Sequence, residues 1–101
     1  MLSFIVPAYN EELELPSTLS AIRAAAAITA EPYEIIVVDD GSTDSTASVA
    51  ANGGARVLPI QRRHIAAARN AGGRAAQGET LFFIDADTRI GPEHVWRFPA
   101  H

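Results

Sequence analysis

The 101-residue chain has the length of a single domain, enough to bury roughly 60–70% of its unfolded surface. Its 48% apolar content excludes a disordered chain, and the lack of cysteine excludes a disulfide framework or a thiolate metal site. A formal charge of −4, with no lysine, argues against general nucleic-acid binding, whose footprint is a basic face.

Leu2–Ala8 reads as a first strand, ended by Asn10 and two glutamates. Pro16 suits the first turn of a helix that continues through Leu19, Ile22 and Arg23 to about Ala27, with Leu19, Ile22 and Ala26 on one face. Glu31-Pro32 breaks it. Tyr33–Val38 is a second strand, β-branched and unalternating, as expected for burial on both faces. Ser42 or Thr43 can cap the next helix, which Gly53-Gly54 stops in a left-handed turn. Arg56–Ile60 is a weaker third strand, and an alanine-rich helix runs from about His64 to Ala76. Thr80–Ile84 is the fourth strand, and Glu93–Phe98 reads as the start of a last helix. This β-α-β-α-β-α-β order predicts a mainly parallel, Rossmann-like sheet in a three-layer α/β/α domain covering 1–101. No apolar run approaches the ~18 residues of a membrane span, and Met1–Val6 lacks the features of a signal peptide, so a cytoplasmic location is expected.

Three acidic segments each follow a strand: Pro7-Ala8-Tyr9-Asn10-Glu11-Glu12, Asp39-Asp40-Gly41-Ser42 and Asp85-Ala86-Asp87. A parallel α/β sheet binds ligands outside the carboxyl ends of its strands. Carboxylates gathered there repel one another unless a cation or ligand donors offset them. Asp85 and Asp87, two apart on an extended chain, share one side and suit Mg²⁺ or Mn²⁺, which take carboxylates together with substrate phosphates. The same pattern also marks ordinary turns. Asp39 and Asp40 can accept from a base or ribose, or can simply cap and stop the strand. Tyr9 offers a stacking surface, while Asn10 and the glutamates also fit a helix start. Arg62, Arg63 and Arg69 can offset a phosphate; Arg69 equally suits a surface ion pair. His64 reads as structural or exposed, His94 and His101 carry no argument, and Trp96 and Phe98 read as core or interface side chains.

In this order the segments resemble the inverting family 2 glycosyltransferases of GT-A fold. The resemblance rests on Pro7-Ala8-Tyr9-Asn10-Glu11, Val37-Val38-Asp39-Asp40-Gly41-Ser42-Thr43-Asp44, Ala68-Arg69-Asn70-Ala71-Gly72 and Asp85-Ala86-Asp87. It implies a nucleotide-diphosphate sugar donor, a uridine one by family habit. Asp40 would receive the base beside the backbone of Pro7, Ala8 and Tyr9, with Glu11 and Asp39 lining the same pocket. Arg69 would lie near base or ribose, Asp85 and Ala86 near ribose or sugar, and Asp87 would ligate Mn²⁺ or Mg²⁺ on the diphosphate. An acceptor hydroxyl, on a saccharide or a lipid-linked group, would then attack the anomeric carbon with inversion.

Members of that family run well past this length, and their second half supplies the acceptor site and a general base. After Asp87 the one carboxylate is Glu93, in the expected last helix, so no catalytic base is assigned. The chain therefore reads as a donor-binding portion, truncated after the Asp-x-Asp strand. Self-association, a completing polypeptide, and a membrane-face location through partners are the corresponding expectations. The alternative is a non-catalytic nucleotide-binding remnant or interaction module. Leu81–Thr88 also fits a haloacid-dehalogenase-type phosphatase motif, and Val37–Asp40 a response-regulator acidic pocket. Both need a lysine, which the chain lacks. A sugar-nucleotide pyrophosphorylase would need a Gly-rich basic first loop, which Pro7–Glu12 is not.

Overall fold

The computed structural model of the chain describes residues 1–86 and the backbone of 97–99. Strands β1 (Leu2–Ala8), β2 (Tyr33–Asp40), β3 (Arg56–Ile60), β4 (Thr80–Phe83) and β5 (Arg97–Pro99) form one sheet in the order β3-β2-β1-β4-β5. Helices α1 (Leu15–Thr29), α2 (Thr46–Asn52) and α3 (Ile65–Ala75) connect the first four strands. The β1–β2, β2–β3 and β1–β4 pairings are parallel, and β5 runs antiparallel to β4.

The period-2 alternation of the strands divides the core into two layers. Leu2, Phe4, Val6 and Ala8 of β1, with Ile35 and Val37 of β2, pack against Leu15, Leu19, Ile22 and Ala26 of α1 and Ala50 of α2. Ile5, Ile36, Val38 and Leu81 face the other way, onto Ala68, Ala71 and Ala75 of α3. Helices thus cover both faces, which explains why β1 and β2 are apolar without alternation. Phe4 and Phe82 stack across β1 and β4 with ring centroids 4.8 Å apart.

Strand order reverses between β1 and β4: β2 and β3 lie on one side of β1, and β4 on the other. The crevice at such a switch point is where ligands bind in open α/β sheets. β4 pairs with β1 only as far as Ile5↔Phe83, with Ile84 N–H donating to Ile5 O. Pro7, which has no N–H to donate, therefore sits where β1 has outrun β4.

Several sequence expectations need correction. β2 extends through Asp39 and Asp40, which pair with Pro59 and Ile60 of β3. α2 starts at Thr46, and neither Ser42 nor Thr43 caps it; both are bonded to Asn10 instead. The helix expected over Glu93–Phe98 fails at its end, because Arg97 and Phe98 lie in β5, opposite Phe82 and Leu81. The open edge of β4 offers backbone groups that a strand satisfies and a helix cannot. Residues 93–96 lie outside the described residues. Gly54, at φ 85, supplies the left-handed residue expected after α2.

α3 approaches the sheet closely at Gly72, where an added Cβ would meet Ile5 Cγ2 at 2.3 Å and Val38 Cγ2 at 3.0 Å. Both are buried β-branched side chains with little room to turn. Gly72→Val is expected to lower stability by about 2–3 kcal/mol in urea titration, since overpacking of this kind costs roughly that much.

Candidate functional site

The loops after β1 and β2 are bound to each other before any ligand is considered. Asn10 takes a left-handed conformation at φ 50, which asparagine tolerates better than most residues. Its N–H donates to Ser42 Oγ at 2.9 Å, and its Oδ1 accepts from Thr43 N–H at 2.8 Å. Glu11 N–H donates to Thr46 Oγ1 at 2.9 Å and Glu12 N–H to Asp44 Oδ2 at 3.3 Å. Glu12 Oε2 accepts in return from Ser45 N–H at 3.1 Å. Asp44 also accepts from both the N–H and the hydroxyl of Thr46. Burial raises the Asp44 pKa, and these bonds lower it by more, leaving it below the ordinary aspartate value.

The two aspartates closing β2 point to opposite faces, as consecutive strand residues must. Asp39 turns back to accept from Ser42 N–H at 3.1 Å, across the tight turn at Gly41, where φ is 75. Asp40 faces α3. Its Oδ1 accepts from Arg62 N–H and Arg63 N–H, each at 2.8 Å, and its Oδ2 from His64 N–H at 2.9 Å. The residue is only 5% exposed. Burial raises its pKa, but the backbone bonds from Arg63, Arg62 and His64, with the charge of Arg63, more than offset this and hold the carboxyl below 3.8.

A pocket of about 290 Å³ opens at this edge, lined by Pro7, Ala8, Tyr9, Glu11, Asp40, Arg63, His64, Ile65 and Ala68. The size is at the lower end of small-ligand sites. The Arg63 guanidinium carbon lies 3.5 Å from the centroid of the Tyr9 ring, at cation–π distance. Arg63 itself sits at φ 50, a conformation that costs a non-glycine residue roughly 1–2 kcal/mol and that the Asp40 bonds hold in place.

A second cluster forms at the end of β4. Arg69 of α3 reaches Asp85 Oδ1 at 3.5 Å, with both side chains about half exposed. Ala86 is buried in the α1 layer, and its carbonyl accepts from the buried Thr18 hydroxyl of α1. The bond pins the middle of the Asp-x-Asp segment while Asp85 stays on the α3 side. Asp87 lies outside the described residues. Among the described residues no group of three metal-ligating side chains comes together.

Pro7, Ala8, Tyr9, Glu11 and Asp40 thus share one pocket, Arg69 and Asp85 form a neighbouring pair, and Asp39 belongs to the turn on the opposite face. Sequence reasoning had no reason to select Thr18 or His64, or to place Arg63 on Tyr9. One signal was available for Arg63: from Arg56 to Gly78 the chain has five arginines and no carboxylate. Of these, Arg62 and Arg63 follow β3 and Arg69 lies in the first half of α3, so they bring positive charge to an edge whose other loops are acidic. Arg56, in contrast, opens β3 and bonds Ala75 O at the far end of α3.

Solved structures share this architecture. Glucosyl-3-phosphoglycerate synthase from Mycobacterium tuberculosis, with Mn²⁺, uridine diphosphate and glucosyl-3-phosphoglycerate, superposes at a TM-score of 0.76 with 30% identity, over 91% of this chain and 36% of that one. S. aureus TarS superposes at 0.69 with 30% identity, over 91% of this chain and 29% of that one. The fold is that of a GT-A glycosyltransferase. Undecaprenyl-phosphate 4-deoxy-4-formamido-L-arabinose transferase of Aeromonas hydrophila is 35% identical over 104 residues, covering 96% of this chain and 32% of its own length. The Pseudomonas fluorescens protein of that name is 38% identical over 102 residues, covering 94% and 30%. Residues 3–98 match glycosyl transferase family 2, and the chain belongs to that family. It spans about a third of the length of these relatives.

Because the folded pKa of Asp40 lies below its unfolded value, its ionised form stabilises the fold above about pH 4. That contribution fades as pH falls through the depressed value. Asp40→Asn should therefore cost about 2 kcal/mol at neutral pH, the scale of hydrogen bonds to a charged group. The gap from wild type in urea titrations should narrow below pH 3.8, the ordinary value of the group.

Proposed function

We propose that the chain is the donor-binding portion of an inverting glycosyltransferase. It would hold a nucleotide-diphosphate sugar, with uridine as the base, for transfer of the sugar to an acceptor. The observation that carries this reading is the convergence of Pro7, Ala8, Tyr9, Glu11 and Asp40 on one pocket at the carboxyl edge of the sheet, beside the Arg69–Asp85 pair.

The chemistry of Asp40 supports uridine. A carboxylate has about four acceptor positions, and three backbone N–H groups occupy three of them. One further N–H can be accepted, which matches the single imide N–H of uracil. The pairing edge of guanine presents two donor groups side by side and would leave one unmet. The M. tuberculosis synthase, solved with Mn²⁺ and uridine-diphosphate-glucose, supports the same choice by likeness.

Asp85 and Asp87 are the residues for a divalent ion, Mn²⁺ or Mg²⁺. Hard carboxylate oxygens beside a diphosphate suit either one, and the half-exposed Asp85 carboxylate is accessible at the site edge. Such an ion neutralises the charge that builds on the leaving nucleoside diphosphate. Within the chain, Arg69 opposes Asp85 and sets its orientation, Thr18 holds the segment through Ala86, and Glu11 and the Pro7–Tyr9 backbone wall the donor pocket. Asp39 serves the same site by holding the turn at Gly41.

The chain covers about a third of its relatives' length, and no residue of it is assigned to the acceptor site or as general base. The relatives' name supports a lipid-linked acceptor such as a polyprenyl phosphate, which would place the reaction at the cytoplasmic membrane face through partners. Among the described residues no helix is long and apolar enough to cross a membrane.

Calorimetry with UDP and GDP, with and without Mn²⁺, tests the reading. Wild type is expected to bind UDP more tightly with Mn²⁺ and to prefer UDP to GDP at least tenfold. Asp87→Ala should abolish the metal enhancement. A folded wild type that binds neither nucleotide would remove the donor-site assignment.

A further inference from the structure

No motif of the family resemblance includes Arg63, yet the pocket is built around it. Its N–H is held by Asp40, its backbone is left-handed at φ 50, and its guanidinium lies 3.5 Å from the centroid of the Tyr9 ring. Strained non-glycine residues persist where the surroundings over-determine them, and they cluster at ligand clamps. The loop residues on either side, Arg62 and His64, donate to the same carboxylate, so the backbone at Arg63 is fixed by a three-bond anchor.

The position of the guanidinium changes what the pocket offers. Tyr9 reads from sequence as a stacking surface, but Arg63 already covers one face of its ring. A guanidinium is planar and delocalised, so one face can rest on an aromatic ring while the other receives a second flat group. Bases stack on arginine planes as they do on aromatic rings.

We propose that Arg63 is the base platform of this pocket: the nucleobase of the donor stacks on the guanidinium, giving a three-layer stack of Tyr9, Arg63 and base. The proposal rests on the donor-site reading above and adds a residue to it. It separates three tasks among residues at the ends of β1, β2 and β3. Asp40 fixes the backbone, Tyr9 supports the guanidinium, and the guanidinium holds the ring of the ligand. It also makes Arg63 a recognition residue for an uncharged part of the ligand, unlike an arginine that merely attracts a diphosphate.

Uridine and UDP distinguish these roles, since only UDP carries phosphate. Their binding is to be measured by titration with amide NMR detection on wild type, Arg63→Ala and Arg63→Lys. The amide spectra report at the same time that each variant is folded. Stacking predicts that both variants weaken uridine and UDP by a similar factor, about tenfold, because lysine keeps the charge and loses the plane. Weaker UDP binding with unchanged uridine binding would overturn the proposal in favour of phosphate attraction. Wild-type affinity in Arg63→Lys would overturn it too, as would tighter binding in Arg63→Ala, the signature of a side chain that blocks the site. If Arg63→Ala proves unfolded, Arg63→Gln, flat but uncharged, takes its place and should retain more uridine affinity than Arg63→Lys, and the reverse order would overturn the proposal. A wild type that binds neither ligand defeats the donor-site reading itself, and this one with it.

Discussion

A buried carboxylate needs compensation, and Asp40 obtains it from one short stretch of backbone. Three consecutive N–H groups, from Arg62 to His64, converge on its two oxygens. Hydrogen bonds of this kind to an ionised group are about twice as strong as neutral ones. Much of the carboxyl edge follows. The chain leaving β3 must return to the end of β2, α3 must begin immediately afterwards, and Arg63 must take its left-handed turn beside Tyr9. Gly72, two turns further along α3, then allows the helix to lie against Ile5 and Val38. Carboxylate and glycine act together: one aims the helix and the other sets its distance from the sheet.

The acids of the motifs divide into two groups by what they touch. Asp39, Asp40, Asp44 and Glu12 are engaged with backbone N–H groups, and they build the loops that frame the pocket. Asp85 is half exposed, paired with Arg69, and open to solvent or a ligand. An acidic edge is tolerable here because most of its charge is met by fixed dipoles of the chain. Arg69 beside Asp85 and Arg63 beside Asp40 meet part of the remainder. Family membership and the GT-A fold are thereby joined to a physical account of why so many motif residues are polar: most of them hold loops.

How much of this was legible varies by element, for identifiable reasons. The core strands β1, β2 and β4 were readable because apolar runs of that length bounded by polar turns have few alternatives. Gly53-Gly54 and Pro16 marked helix limits through backbone rules that hold in any context. Arg97 and Phe98 were misread as helical because three residues carry no periodicity, and only the open edge of β4 makes them a strand. Ser42 and Thr43 were misread as caps because their partner, Asn10, is more than thirty residues away. The pocket residues from Pro7 to Glu11 were legible as a set and Arg63 as one of a cluster of cations. Its place on Tyr9 and the role of Thr18 were not, since each depends on a contact far away in sequence.

The sequence by itself determined the α/β class, the parallel strands and the acidic edge at their carboxyl ends. These depend on local apolar length, on turn residues and on the order of elements, all of which are one-dimensional properties. Tertiary structure decided which acids are held by the backbone and which face outward, that Arg63 lies on Tyr9, and that Thr18 anchors Ala86. Those outcomes depend on distances between residues remote in the chain, fixed only when α1 and α3 close on opposite faces of the sheet.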